Sequence, residues 1–166
     1  MIRIVVDGRE YPVVEIYTDG SCSPNPGVGA WAFITKYPDG VEKRESGVAT
    51  ETTNNRMELT AILNGLKSVM TTFIGVVRLH TDSSLAIGWL QTGWRRNDPG
   101  IKRLCSQIEM FVKETTWKKL EYVKVDGHSD DETNTLVDKL AYNACLLYRR
   151  HLDDGHGWEG ENDVSE

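Results

Sequence analysis

The sequence lacks the features of membrane, secreted and disulfide-rich proteins. No apolar run approaches the roughly 18 residues that cross a bilayer, and the first ten residues hold no long apolar segment with a cleavage site. Cysteine is scarce, and the three cysteines show no CxxC spacing, which indicates reduced thiols and excludes a disulfide framework or a cysteine zinc site. We therefore expect a cytoplasmic protein without a membrane segment.

The interior of the chain also lacks internal repeats and linker-like stretches, so its 166 residues allow one domain with a substantial core and hardly two. We expect a main domain over residues 13–150, preceded by an N-terminal extension over residues 1–12. In that extension the alternation of Ile2, Ile4 and Val6 suggests a short extra strand. Residues 151–166 are acidic and poor in aliphatic side chains, which predicts a disordered tail.

The net charge of -6 is unevenly distributed. Six of the 25 acidic residues lie in the last sixteen positions, and the other 19 balance the 19 Lys and Arg residues. If several of those 19 acids bind metal ions, the remaining surface is effectively basic. Charge alone therefore neither supports nor excludes a nucleic-acid partner.

The hydrophobic pattern changes from strand-like to helix-like along the main domain. Three early strands are followed by helix, strand, helices, strand and helix, an order that predicts an α/β fold. We expect a mixed five-stranded sheet, with three antiparallel strands and then parallel ones, flanked by helices. The predicted strands cover residues 13–19, 29–37, 41–47, 76–80 and 120–125, and the predicted helices cover 55–70, 84–90, 101–112 and 133–148.

Four carboxylates fall at positions that this fold would bring together. Asp19 and Asp82 each follow an apolar strand, and ligands commonly bind at the carboxyl ends of strands in α/β sheets. Glu58 lies in the first turn of the first long helix, and Asp138 lies beside the apolar stripe of the last one. Converging carboxylates repel one another, and divalent cations such as Mg²⁺ or Mn²⁺ would relieve that repulsion.

Each carboxylate also has an ordinary explanation when it is taken alone. Glu58 fits the third position of a capping box that begins at Asn55. Asp19 could form a turn with the glycine that follows it, and Asp82 could cap the next helix. Asp138 is the hardest to explain in this way, because aspartate is a poor helix former and this one flanks a buried face.

The sequence motifs around these acids resemble those of type 1 ribonuclease H. The segments YTDGSC (17–22), NPGVG (25–29) and TTNNRMEL (52–59) are similar to its first motifs, and TDS (81–83) is similar to its third. Gly127-His128, followed by Asn134 and Asp138, resembles the fourth. All four motifs occur in the family order over residues 13–148, and together they are highly specific. The resemblance implies a ribonuclease H-like fold in a free-standing protein.

The same resemblance implies an endonuclease that hydrolyses the RNA strand of RNA–DNA hybrids, with little sequence preference, leaving 5′-phosphate and 3′-hydroxyl ends. Asp19, Glu58, Asp82 and Asp138 would bind two Mg²⁺ ions per site, with Asp19 as the bridge, and Mn²⁺ could substitute. His128 would assist proton transfer or product departure, although a lone histidine is more often a surface-loop residue. These five residues are the expected catalytic residues.

The expected partner is the hybrid duplex, bound by a monomer with no protein partner. Thr53 resembles the residue that holds a phosphate of the DNA strand, and short amide side chains can read the 2′-hydroxyls that distinguish RNA. The residues expected to contact substrate are Gly20, Ser21, Cys22, Asn25, Thr53, Asn54, Asn55, Ser84, Trp94 and Asn134.

The chain departs from the family pattern after Asp82. Many relatives carry there a lysine-rich helix, a basic handle that grips the hybrid, and here the handle is reduced or missing. Trp89 or Trp94 would pack on a deoxyribose or in the core, and Ser84 replaces a glutamine that is common in the family. The basic residues that could stand in for the handle are Arg95, Arg96, Lys102 and Arg103. A weaker handle predicts weaker and more salt-sensitive binding.

Three other identities fit the sequence less well. A proofreading-type 3′–5′ exonuclease would carry an acid two residues after the first aspartate, where this chain has Ser21. A non-catalytic nucleic-acid-binding module would be expected to lack at least one of the four acids. A fragment of a reverse transcriptase fits less well than a free-standing enzyme.

Overall fold

The computed structural model describes residues 1–126 and 131–154, in which six strands form a mixed sheet with helices on both faces. The strands are β1 (Arg3–Val6), β2 (Arg9–Cys22), β3 (Gly27–Lys36), β4 (Glu42–Thr52), β5 (Val76–Thr81) and β6 (Lys119–Lys124). The helices are α1 (Asn54–Lys67), α2 (Ser84–Ile87), α3 (Pro99–Lys113) and α4 (Glu132–Asp153).

Five of the strands follow the order β4-β3-β2-β5-β6. The strands β2, β3 and β4 are antiparallel neighbours, whereas β5 is parallel to β2 and β6 is parallel to β5. This arrangement confirms the mixed five-stranded sheet predicted from the sequence. The sixth strand, β1, forms an antiparallel hairpin with the start of β2, in the segment whose alternation suggested an extra strand.

Alternation along β2 divides the core between the two faces of the sheet. Ile16 and its same-face neighbours pack with α1 and α3 in the larger cluster, and Tyr17 faces Val137 and Ala141 of α4 in a smaller one. Both faces of the central strand are therefore covered, and the ends of β2 and β5 remain free for a site. Within the described residues, no helix combines the length and the apolar character that a membrane crossing requires.

The segment after Asp82 differs from the single helix expected over residues 84–90. Helix α2 has four residues and continues into one π-helical turn (Gly88–Thr92) that ends at Gly93, where φ is 76°. The ring of Trp94 packs over Gly88, where any side chain would collide with it. Residues 82–98 are fully described, and neither α2 nor the π-helical turn carries a Lys or Arg, so no basic helix precedes α3.

Helix α4 runs past the expected end of the domain. It begins after the N-cap Asp131 and ends at Asp153, three residues beyond position 150. Residues 155–166, which make up most of the expected tail, lie outside the described residues, as do residues 127–130.

Candidate active site

The sheet register brings Asp19 and Asp82 side by side. Strands β2 and β5 are parallel neighbours, with Tyr17 opposite His80, so each aspartate stands two residues beyond a paired position at the same edge. Asp19 continues β2 and pairs with Ala32 of β3. The explanation of Asp19 as a turn former is therefore wrong, because the strand runs on to Cys22.

Helix α1 brings Glu58 to the same edge through a close contact with β2. A side chain at Gly20 would lie within 3.0 Å of the backbone of Met57 and Glu58, so only glycine allows this approach. A hydrogen bond from the Gly20 N–H to the Glu58 carboxylate holds that side chain. Helix α1 begins after Thr53, whose Oγ1 accepts a hydrogen bond from the N–H of Arg56 at 3.2 Å.

Local capping also rules out the ordinary explanations of Glu58 and Asp82. Because the N-cap of α1 is Thr53, Glu58 lies five positions into the helix and cannot complete a capping box. The N-cap of α2 is Ser83, whose Oγ accepts from the N–H of Ala86 at 3.1 Å. Both carboxylates are thus left without a capping role.

Helix α4 supplies the fourth carboxylate from the opposite face of the sheet. Val137 and Ala141 are fully buried against β2 and β3, which orients the intervening Asp138 toward the sheet edge. Asp138 forms a hydrogen bond with Asp19 there. All four predicted carboxylates therefore meet, although they come from distant parts of the chain.

The cluster lies in an open cleft with a volume of about 580 Å³. Single carboxylate oxygens of Asp19, Glu58 and Asp82 all lie within 4.8 Å of one another, a spacing that could hold a metal ion. Asp19 and Glu58 are each only 9% exposed. The residues that line the cleft are Asp19, Gly20, Ser21, Asn54, Asn55, Glu58, Asp82, Ser83, Ser84, Leu85, Asp138 and Tyr142.

Burial and mutual repulsion disfavour the charged forms of these acids. Burial, followed by the charges of Asp138 and Asp82, raises the pKa of Asp19 to about 8. Burial raises the pKa of Glu58 well above its usual range, and the charges of Asp19 and Asp82 add to the effect. Burial also raises the pKa of Asp138, against the opposing effect of its hydrogen bond with Asp19.

The chemistry of the site fits a divalent cation. The Oε2 atom of Glu58 is buried and has no hydrogen-bond partner among the described residues. Within residues 1–126 and 131–154, no Lys or Arg pairs with any of the four carboxylates to offset their charge. A set of hard oxygen donors without a protein counter-charge is the kind of site that Mg²⁺ or Mn²⁺ occupies.

Half of the predicted substrate-contacting residues line this cleft: Gly20, Ser21, Asn54, Asn55 and Ser84. Asn25 lies next to them, because its Oδ1 accepts from the N–H of Asn54 at 3.2 Å. Thr53 lines a neighbouring cleft of about 560 Å³, together with Arg56 and the β4 residues 50–52.

The other predicted residues do not line the cleft. The Cys22 thiol is buried and donates to the carbonyl oxygen of Thr52, and Asn134 is buried in the first turn of α4. Trp94 is 49% exposed but packs over Gly88, while Trp89 packs against the main core. His128 lies outside the described residues.

Sequence reasoning missed three residues that line the cleft, namely Ser83, Leu85 and Tyr142. The signal for Tyr142 was available, because it lies four residues after Asp138 on α4 and such positions share one helix face. Ser83 and Leu85 flank Ser84 at the start of α2, where a short helix exposes successive side chains.

Comparison with known proteins agrees with this geometry. The RNase H family model matches residues 12–146. The ribonuclease H of Thermoanaerobacter sp. (strain X514) is 41% identical over 138 residues, covering 78% of this chain and 87% of that protein. The ribonuclease H of Campylobacter jejuni (strain RM1221) is 37% identical over 147 residues, covering 86% of this chain and 98% of that protein.

Solved structures show the same fold. RNase H1 of Halobacterium salinarum NRC-1 aligns with a TM-score of 0.66 at 25% identity, covering 86% of this chain and 98% of that chain. LC11-RNase H1, solved in complex with an RNA/DNA hybrid, aligns with a TM-score of 0.68 at 23% identity, covering 82% of this chain and 99% of that chain. From the family match, the relatives and the four motifs together, we conclude that this chain belongs to the RNase H family and is a ribonuclease.

Proposed function

We propose that this enzyme cuts the RNA strand of RNA–DNA hybrids internally, by a two-metal-ion mechanism that leaves 5′-phosphate and 3′-hydroxyl ends. The observation that carries the proposal is the convergence of Asp19, Glu58 and Asp82, with Asp138 bonded to Asp19, in an open cleft without a counter-charge from Lys or Arg among the described residues.

The four carboxylates would hold the ions, with Mg²⁺ as the proposed cofactor and Mn²⁺ as a substitute. Bound ions of this kind lower the pKa of an attacking water and stabilise charge on a leaving oxygen. The protein contributes rigidity: Asp19 is fixed by strand pairing, and the Gly20 N–H orients Glu58. We also propose, from the family resemblance, that His128 assists proton transfer or product departure.

Recognition of the hybrid would rest on the short polar groups of the cleft. Asn54, Asn55 and Ser84 are neutral hydrogen-bonding side chains, suited to ribose 2′-hydroxyls in a minor groove. Contacts with sugar and phosphate carry no sequence information, so we expect little sequence preference. Support for a hybrid substrate comes from LC11-RNase H1, which shares this fold and was solved with an RNA/DNA hybrid.

The DNA strand would use the neighbouring surface. Thr53 lies beside Arg56 in the second cleft, where a hydroxyl and a guanidinium suit a phosphate. The exposed part of Trp94 would pack on a deoxyribose. Cys22 and Asn134 are buried, so any contact of theirs with the hybrid would involve the main chain.

We further propose that the enzyme acts as a cytoplasmic monomer. The four carboxylates all come from one chain, so the site needs no second copy. The three cysteines are buried thiols without a disulfide, which suits a reducing compartment.

A substrate panel tests the proposal. End-labelled RNA–DNA hybrid, single-stranded RNA, double-stranded RNA and double-stranded DNA are each incubated with the enzyme, in Mg²⁺ or in chelator. We expect internal cuts in the RNA of the hybrid alone, only with Mg²⁺, and products that carry a 5′-phosphate. Equal cleavage of every RNA would contradict the proposal, and stepwise trimming from one end would favour an exonuclease.

A further inference from the structure

Tyr142 differs from the other residues that line the cleft. It is the one aromatic side chain among them, and the rest are acids, glycine, short polar residues and Leu85. It lies on α4 one helical turn after Asp138, and the two positions share a face of the helix. Because Asp138 bonds to Asp19 on that face, Tyr142 is placed beside the carboxylate cluster.

The Tyr142 side chain makes little visible contribution to the packing of the described residues. It is 61% exposed, so much of its large apolar ring is in contact with solvent. Within residues 1–126 and 131–154, its hydroxyl has no hydrogen-bond partner and its ring stacks on no other ring. Other tyrosines of the chain contrast with it, since Tyr37 donates to the carbonyl oxygen of Ser68 and Tyr17 stacks on His80.

The residue type suits contact with a nucleic acid beside metal ligands. A lysine or arginine four residues after Asp138 would be placed to pair with that carboxylate and would compete with a metal ion for it. A tyrosine ring can pack against a base or a ribose, and its hydroxyl can donate to a phosphate oxygen, without adding positive charge.

We propose that Tyr142 is a substrate-contacting residue that holds the RNA strand next to the phosphate to be cut. Its ring packs against a nucleotide of the RNA strand, and its hydroxyl donates to a backbone phosphate. The RNA strand is the one assigned because Tyr142 lies within one turn of a carboxylate that faces the scissile phosphate. This inference rests on the function proposed above.

Steady-state cleavage of the hybrid by Tyr142→Ala and Tyr142→Phe tests the proposal. We expect Tyr142→Ala to raise KM about tenfold, which is the size of one lost aromatic contact with a nucleotide, and to leave kcat within about twofold. Tyr142→Phe keeps the ring, so its KM should lie between those of wild type and Tyr142→Ala. The Mg²⁺ concentration for half-maximal rate should stay the same in both variants.

Leu147→Ala is the matched control, because Leu147 is 47% exposed on the same helix and does not line the cleft. Its KM should equal that of wild type. A Tyr142→Ala enzyme whose KM matches the control, while wild type cuts the hybrid, overturns this inference alone. A wild-type enzyme that does not cut the hybrid overturns the proposed function and this inference with it.

Discussion

Glu58 shows at the scale of a residue how the site opposes stability. Its carboxylate is buried in a helix, beside Asp19 and Asp82, and its Oε2 lacks a hydrogen-bond partner in the described chain. These conditions disfavour the ionised form, and burial is the main reason that its pKa lies well above the usual range. Without a bound cation, the cluster should therefore destabilise the folded protein.

Replacement of Glu58 by Gln should stabilise the metal-free protein. The amide keeps the shape and can still accept from the Gly20 N–H, but it removes one negative charge. In chelator near pH 8 we expect the free energy of unfolding to rise, because the raised pKa of Glu58 means that ionisation of this carboxyl opposes folding at that pH. Urea denaturation measures the change.

The pH dependence of the stability gained by Glu58→Gln follows from the direction in which the pKa values of the cluster are shifted. For an acid whose pKa is raised in the folded state, stability is fully present below the unfolded pKa and is lost as the pH rises through the folded value. The contribution of Asp19 to stability is therefore lost as the pH rises to about 8, its pKa in the folded protein, and the pKa of Glu58 is shifted in the same direction. The advantage of Glu58→Gln should thus shrink toward pH 4 or so. A variant that is less stable than wild type near pH 8, or a gain that the exposed Glu51→Gln reproduces, would contradict this account.

The spatial convergence of the four carboxylates could be predicted from the sequence, because motifs and strand ends pointed to the same positions. Their role as metal ligands remains a prediction. The interpretation of Glu58 as part of a capping box that begins at Asn55 was wrong, because Thr53, two residues earlier, is the N-cap of α1. Tyr142 was missed because hydrophobic periodicity does not mark an exposed aromatic residue as functional; only its spacing of four residues from Asp138 pointed to the cleft.

At the scale of elements, the contact between β2 and α1 positions the site. Gly20 allows the first turns of α1 to touch β2, and that contact brings Glu58 to Asp19. The backbone atoms on the other side of the contact belong to Met57 and Glu58, so a side chain at position 20 cannot be accommodated by a rotamer change.

Gly20→Ala should therefore damage both stability and catalysis. The added methyl group forces α1 away from β2, and we expect about 2–3 kcal/mol of destabilisation, as is typical of overpacking. Cleavage should fall even under conditions where the variant is folded, because Glu58 is displaced from Asp19. Circular dichroism measures folding, and cleavage of the hybrid is assayed on the same samples. Gly40→Asn is the control, because Gly40 lies in an exposed turn with a φ of 88°. Full activity of Gly20→Ala would refute the close contact.

The start of α3 is tied to α1 by one aspartate. Asp98 Oδ1 accepts from the N–H groups of Gly100 and Ile101, at 2.8 and 3.1 Å, and it pairs with Arg56 at 3.0 Å. Asn is as good an N-cap as Asp but carries no charge. We expect Asp98→Ala to lower the free energy of unfolding by about 1–2 kcal/mol and Asp98→Asn by about 0.5 kcal/mol. Equal losses in both variants, measured by urea denaturation, would show that the ion pair dominates.

The order of elements was predictable and some of their ends were not. Period-two and helical patterns identified the main strands and helices, but Gly88 and Gly93 convert the second half of the expected 84–90 helix into a π-helical turn. The backbone N–H of Trp94 closes that turn on the carbonyl oxygen of Gly88 at 3.0 Å. A local hydrogen bond of this kind leaves no trace in hydrophobic periodicity.

At the scale of the whole molecule, the distribution of charge governs binding. Residues 1–150 are formally neutral, and residues 82–98 provide no basic helix. Lys102 is exposed in the first turn of α3, where the helix dipole disfavours a cation. Its position therefore does not favour helix stability, but it is suited to contact with a phosphate.

Hybrid cleavage should therefore be strongly salt-dependent. We expect KM to rise steeply between about 50 and 200 mM salt, and Lys102→Gln to reduce the slope of log KM against log salt by about 1. Lys43→Gln serves as control, because Lys43 pairs with Glu45 at the end of β4 remote from the cleft. Equal slopes for wild type and Lys102→Gln would remove Lys102 from the interface.

The most direct test of the central claim, that these carboxylates form the catalytic metal site, is the rate of hybrid cleavage by Asp82→Asn in saturating Mg²⁺. Asp82 belongs to the three-carboxylate cluster and has no capping role, so the variant should fold as wild type does. Metal ions contribute several kcal/mol to such reactions, which predicts a loss of at least about 100-fold. Undiminished cleavage by a folded Asp82→Asn enzyme would contradict the account.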